Sequence, residues 1–255
     1  MVSRTRRLAD VLRAERRRLA DDLHRARSGL GESGAPGAVA GFVVAKTVAL
    51  GHRCLRRAAE TAVDRRYGIR TAGMLRPDSP GDTPDPHAAY AYQPVGLRRF
   101  RAVVAACATT PSATTFLDLG CGRGRALALA RAHGFARVVG VELDAELART
   151  ARANLAAGGS TAVVVHTGDA ATTAVPAGPL LVFLFNPFGP AVLRRVLDRV
   201  AEQASGPVTV GYVNPVHRAV LDDDPRWERT ATARWWSVHR LRRPPGPHPD
   251  DTGSS

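Results

Sequence analysis

One stretch, 115–144, TFLDLGCGRGRALALARAHGFARVVGVELD, constrains the fold more than any other part of the chain. Phe116, Leu117 and Leu119 form a short apolar run that stops at Gly120-Cys121-Gly122-Arg123-Gly124, and strong helix formers follow from Ala126 to Ala132. The glycines therefore stand at a strand-to-helix corner. Such a corner needs a backbone that turns sharply and lets another group approach where a Cβ would collide, and the new helix presents unpaired N–H groups there. Val138-Val139-Gly140-Val141 is expected to form the next strand, ending at Glu142, which lies 22 residues after Gly120. A carboxylate at that distance can accept hydrogen bonds from both ribose hydroxyls of a nucleoside-containing cofactor. The plainer reading is a glycine-rich turn that only packs strand on helix.

A dinucleotide fingerprint reads G-x-G-x-x-G, whereas this turn is G-x-G-x-G with Arg125 at the sixth position, which argues against NAD. Asp118, two residues before Gly120, adds a carboxylate that would repel a pyrophosphate and suit an ammonium group. At Asp118-Leu119-Gly120-Cys121-Gly122-Arg123-Gly124 the chain resembles the class I S-adenosylmethionine-dependent methyltransferases, and the resemblance extends over roughly 90–240. It implies a doubly wound, mostly parallel seven-stranded sheet in the order 3-2-1-4-5-7-6. It also implies a cofactor site, S-adenosyl-L-methionine, drawn from Asp118, Gly120, Cys121, Gly122, Gly124, Arg125, Glu142 and the following Leu143.

The rest of the chain is expected to complete that sheet. A helix over 145–157 closes at Gly158-Gly159, and the β-branched run 161–165 is read as the third strand. In the family an acid at the end of that strand reads the adenine amino group. Asp169 matches it and Ala170 leaves room for a backbone contact, although Gly168-Asp169 is also an ordinary turn pair. The most apolar run, 180–185, reads as a strand buried on both faces and ends at Asn186-Pro187-Phe188-Gly189. That element resembles the Asn-Pro-Pro-aromatic motif of nitrogen methyltransferases without its second proline. It implies that Asn186, Pro187 and Phe188 position the methyl acceptor. Further on, 191–204 reads as a helix, 208–213 as a strand ending at Asn214-Pro215, and 227–232 with 235–240 as a closing antiparallel pair. His217 is a possible base or a surface residue, and Asp222-Asp223-Asp224-Pro225 reads as a solvated turn. Upstream, Tyr92 and Gln93 before Pro94 resemble an element that lids the cofactor, and an apolar helix over 95–108 carries Arg98, Arg99 and Arg101 on its outer side.

Charge is distributed unevenly. The net charge is +13, and residues 1–76 hold 17 basic against 7 acidic residues, so ten of those charges lie there. Leu8, Val11, Leu12, Leu19 and Leu23 recur at helical spacing among arginines, an amphipathic helix that suits nucleic acid, an anionic membrane surface or plain solvent. Residues 28–37 read as a glycine-rich linker and 38–50 as a buried helix continuing toward Tyr67, too short and interrupted to cross a bilayer. The expected organisation is a basic helical extension over 1–75, a Pro/Gly/Asp-rich linker over 76–89, the catalytic domain over 90–241 and a disordered tail over 242–255. The extension is also a candidate homodimer surface. Three scattered cysteines, Cys54, Cys107 and Cys121, give neither a disulfide framework nor a metal-ligand spacing and suit a reducing cytoplasm.

Methyl transfer from a sulfonium is an in-line displacement that needs alignment more than acid-base groups, so few catalytic side chains are expected, with Tyr92, Asn186, Pro187 and Phe188 as the candidates. The acceptor read from this pattern is nitrogen: a small amine, an amide or a protein lysine, the last needing a dry pocket to lose its proton. Two alternatives stand beside it, RNA methylation with the N-terminal arginines as phosphate contacts and a non-catalytic binding protein that keeps the fold.

Overall fold

The computed structural model describes residues 36–73, 92–156 and 162–242. The expected helix over 4–27, the linker over 76–89, the glycine closure at 158–159 and most of the tail lie outside the described residues. The chain divides into two compact units, Met1–Ala59 and Glu60–Ser255.

The division falls within helix α1 (Pro36–Tyr67). A buried helix is expected at its start, but Val48 and Leu55 are 52% and 71% exposed. Around Leu55 the sequence places Arg56 and Arg57 next to the apolar residues, which suits the exposed position of Leu55. Among the described residues no helix is long and apolar enough to cross a membrane.

The second unit is built on one sheet. Strands β1 (Thr115–Leu119), β2 (Arg137–Glu142), β3 (Val163–Thr167), β4 (Leu180–Phe185) and β5 (Val208–Val213) run parallel. The hairpin of β6 (Trp227–Ala233) and β7 (Trp236–Leu241) closes it, with β7 antiparallel to β5. The order is β3-β2-β1-β4-β5-β7-β6, as expected for a class I methyltransferase. The third strand begins at Val163, two residues later than its β-branched start suggests, because pairing with Val138 to Glu142 of β2 sets its span.

Both faces are covered, which is why the central strands read as continuous apolar runs rather than alternating ones. On one face α2 (Leu97–Ala106) and α3 (Arg125–His133) cover a core built around Phe100, Phe116, Phe135 and Phe183. Their rings stand tilted at centroid distances of 5.1 to 5.9 Å, a geometry that adds about 0.5–1.5 kcal/mol per pair beyond burial. The other face packs Leu117, Val139, Val182 and Tyr212 against Leu193, Val196, Leu197 and Val200 of α5 (Pro190–Gln203) and Leu221 of α6 (Ala219–Asp222). Between β2 and β3, α4 (Ala145–Leu155) starts at an Asp144 cap whose Oδ1 accepts from the N–H groups of Glu146 and Leu147. The turn at 222–224 is more than a solvated corner. Asp222 gathers Arg218, Arg229 and Nε2 of the fully buried His239, a cluster joined only when β7 folds beside α6.

Candidate functional site

A parallel sheet delivers the ends of its strands to one edge, and here that edge carries a run of acids. Asp118 sits near the end of β1 and Glu142 ends β2, with Asp169 following β3. The turn that joins β1 to α3 is fixed by Val141, whose carbonyl oxygen accepts from the N–H groups of Gly120 and Cys121 at 2.9 and 3.0 Å. Gly120, Gly122 and Gly124 all have positive φ, +84°, +54° and +81°, where a side chain costs about 1–2 kcal/mol. The glycines are therefore required by the backbone itself.

Close approach is equally real, and the neighbours are parts of this chain. A Cβ on Gly122 would fall 2.4 Å from the ring of Tyr92, and one on Gly120 would fall 2.6 Å from Cβ of Pro187. Gly124 instead faces α4, where a Cβ would meet Ala151 and Leu155 at 3.1 and 3.3 Å. The space over Gly120 and Gly122 thus brings together residues expected from three separate segments: the glycine turn, the lid residue Tyr92 and the Asn186-Pro187 corner. A ligand lying against Gly122 displaces the Tyr92 ring.

Glu142 is 7% exposed, and its carboxylate receives the Gly122 N–H at 2.7 Å on Oε2 and the Asp144 N–H at 2.9 Å on Oε1. Burial nevertheless pushes its pKa up, against those hydrogen bonds. Asp118 is 3% exposed, and burial first, then the Glu142 charge, raises its pKa well above the ordinary carboxylate range. Asp118, desolvated and facing the Glu142 charge, and Glu142, desolvated and facing the Asp144 charge, both resist ionisation, and a cation placed beside them relieves that cost. The donor set therefore fits a cationic nucleoside, since each carboxylate oxygen of Glu142 keeps a second lone pair for a hydroxyl donor.

Other expected contacts lie elsewhere. The Arg125 side chain is 2% exposed and turns away from the strand ends. It donates from Nε to Thr71 Oγ1 at 2.6 Å, and from one terminal nitrogen to Asp64 Oδ1 at 2.8 Å and to the Glu60 carbonyl at 3.0 Å. Its role is to pin residues 60–73, because a guanidinium at the first turn of α3 reaches back across the helix. Cys121 packs inward on Gly140, where a Cβ would fall 2.9 Å from its Sγ, and burial pushes its thiol up. Leu143 is 57% exposed, while Gln93 and Ala170 are half-buried. Asp169 Oδ1 accepts from the Ala171 N–H at 2.9 Å, so one oxygen stabilises the turn after β3.

The sequence left Asp64 and Thr71 unmarked. Asp64 accepts from the N–H groups of Thr71 and Ala72, both at 2.7 Å, and from Thr71 Oγ1 at 2.6 Å, in addition to Arg125. The loop so fixed offers its Thr71 carbonyl to Tyr92 Oη at 2.9 Å, with the Arg123 guanidinium 5.4 Å from the ring. Asn154 of α4 adds a second tie, accepting from the Arg70 N–H and donating to the Arg123 carbonyl. No local signal marks these residues as a unit, since their ties to Arg125 and Asn154 span 54 to 84 positions. At the far side of the glycine turn, β4 is followed by Asn186 with φ +42°, and Asn186 Oδ1 accepts from Tyr212 Oη at 3.0 Å. Phe188 is half-buried beside it. Among the described residues no group of three or more His, Cys, Asp or Glu could hold a metal ion.

A methyltransferase domain family matches residues 116–203, from β1 to the end of α5. No curated protein sequence matches the chain. Similar solved structures include an RNA methyltransferase from Salinibacter ruber in complex with S-adenosyl-L-homocysteine, 24% identical with a TM-score of 0.42 over 62% of this chain and 98% of that one. Magnesium protoporphyrin IX methyltransferase from Synechocystis, with its cofactor bound, is 16% identical with a TM-score of 0.41 over 57% and 78%. Mitomycin 7-O-methyltransferase is 19% identical with a TM-score of 0.42 over 58% of this chain, which spans about half, 54%, of that protein. The chain thus carries a methyltransferase domain over residues 116–203, on a sheet whose strand order is the one expected of class I S-adenosylmethionine-dependent methyltransferases.

Proposed function

We propose that the enzyme transfers its methyl group to a nitrogen atom. The observation that carries this reading is the packing of Pro187 on Gly120, which brings the Asn186-Pro187 corner beside the glycine turn. When bound, S-adenosylmethionine supplies an electrophilic methyl on sulfur. In this reading Asp118 and Glu142 hold the cofactor's cationic and ribose groups, and Asp169 and Ala170 border its base. Asn186 Oδ1 and the Pro187 carbonyl accept the hydrogens of an amine or amide, which leaves the nitrogen lone pair aimed outward.

Tyr212 supports the assignment. It is fully buried, and its hydroxyl donates to Asn186 Oδ1, so the carboxamide is held in one orientation before an acceptor arrives. A carbonyl oxygen has two lone pairs, so the second stays free to receive an N–H. The half-buried ring of Phe188 then supplies a flat wall for the acceptor. The test is to incubate the purified chain with methyl-labelled S-adenosylmethionine and separate RNA, protein and small-molecule fractions of a cell extract, then locate the label by mass spectrometry. Methyl on nitrogen supports the proposal, and methyl on oxygen or carbon refutes it.

A further inference from the structure

The edge that carries the acids of β1, β2 and β3 changes character on its other half. There β5 is followed by Asn214, whose N–H donates to the carbonyl of Trp235 at 2.8 Å, so the tip of the β6–β7 hairpin is tied to the same edge. Trp235 is 44% exposed. Two guanidinium groups lie over its indole, those of Arg99 and Arg234, each 4.8 Å from the ring centroid. Their carbons are therefore at most 9.6 Å apart, within about one Debye length at roughly 0.1 M salt.

Nothing described balances these charges. Neither guanidinium has a carboxylate partner among the described residues. No acid occurs in α2, which adds the exposed Arg98 and Arg101, or in the hairpin tip 233–236. Two like charges held on one ring by cation–π contacts repel each other, and an oxyanion placed beside both removes that repulsion. Position gives the site its meaning. Trp235 immediately precedes β7, two strands from β4 and its Asn186 corner, which is roughly 10 Å along the edge. A molecule with its methylated atom at Asn186 and a phosphate about one residue along its backbone spans that gap.

We infer that Arg99, Trp235 and Arg234 form the acceptor-binding platform, and that the acceptor is a single-stranded nucleic acid whose phosphates sit on the two arginines. This rests on the reading of the Asn186 corner as the acceptor position and narrows the nitrogen to one on a nucleobase. Charge segregation favours this class over an acidic protein: a solvated run of phosphates matches arginines flanking an exposed aromatic residue, the usual composition of single-strand grooves. The arginines of 1–76 carry most of the net charge, so the test must separate the platform from them.

The experiment titrates the full chain into a fluorescein-labelled single-stranded RNA 12-mer and its DNA counterpart, by anisotropy, across a salt series. The Arg99→Gln/Arg234→Gln double variant is expected to bind more weakly, with its log–log salt slope smaller by about 1.4, the share of two phosphate contacts. Trp235→Ala is expected to lose about tenfold in affinity and Trp235→Phe to keep most of it. A double variant with wild-type slope and affinity overturns the inference, as does displacement of the RNA by polyglutamate at equal charge. Calorimetry with S-adenosylmethionine on the same variants is expected to match the wild type, since none of these residues lies on the acidic half. Absence of heat with the wild type counts against the cofactor reading, while loss of RNA contrast with cofactor binding intact counts against the platform alone.

Discussion

Replacing Gly122 by alanine tests how the glycine turn and Tyr92 depend on each other. The substitution forces a Cβ into backbone at φ +54°, which costs about 1–2 kcal/mol, and drives it to 2.4 Å from the Tyr92 ring. The ring must then leave, losing its hydrogen bond to the Thr71 carbonyl, about 1 kcal/mol, and part of its burial, roughly 1–2 kcal/mol. Gly122→Ala alone should cost about 3–5 kcal/mol. In a Tyr92→Ala background the collision is gone and the same substitution should cost only the backbone contribution, about 1–2 kcal/mol. The coupling from a double-mutant cycle, read by urea unfolding, should therefore reach about 2–3 kcal/mol. Costs that add to within about 0.5 kcal/mol would show that the ring does not rest on Gly122 and would refute the reasoning.

Two further outcomes follow from the same geometry. Asp64→Ala leaves Arg125 buried without its carboxylate and strips an acceptor from Thr71 and Ala72, so it should cost about 3–5 kcal/mol in chemical denaturation; a loss under 1 kcal/mol would contradict the pinning role. His239 has its pKa lowered by burial, despite Asp222, so the folded state resists the proton that the unfolded chain accepts near pH 6.5. Its stabilising contribution is complete above that pH and is lost as the pH falls toward the folded pKa. The melting temperature should therefore drop more between pH 7 and pH 5 in the wild type than in His239→Gln, and parallel profiles would contradict this.

What the sequence revealed depended on how local the signal was. The turn at 120–124, the apolar run at 180–185 and the strand at 208–213 are written in neighbouring residues, so the sheet and its edge were legible. Asp118, Glu142, Asn186 and Pro187 could be placed at that edge from sequence because each lies at or next to the end of a strand. Arg125 was misplaced because spacing assigns a residue to a turn without saying where a long side chain goes; its partners Asp64 and Thr71 are 61 and 54 residues distant. The Tyr212 to Asn186 bond and the Arg99–Trp235–Arg234 stack were hidden for the same reason. Each joins elements that become neighbours only through strand order.

Titration calorimetry with S-adenosylmethionine tests the central claim, that acids at successive strand ends hold this cofactor. The wild type should bind one equivalent, Glu142→Ala should bind at least about tenfold more weakly through loss of a charged hydrogen-bond acceptor, and Asn186→Ala should keep its affinity while losing turnover. A wild type that gives no heat, or a Glu142→Ala variant that binds as tightly as the wild type, would contradict the account.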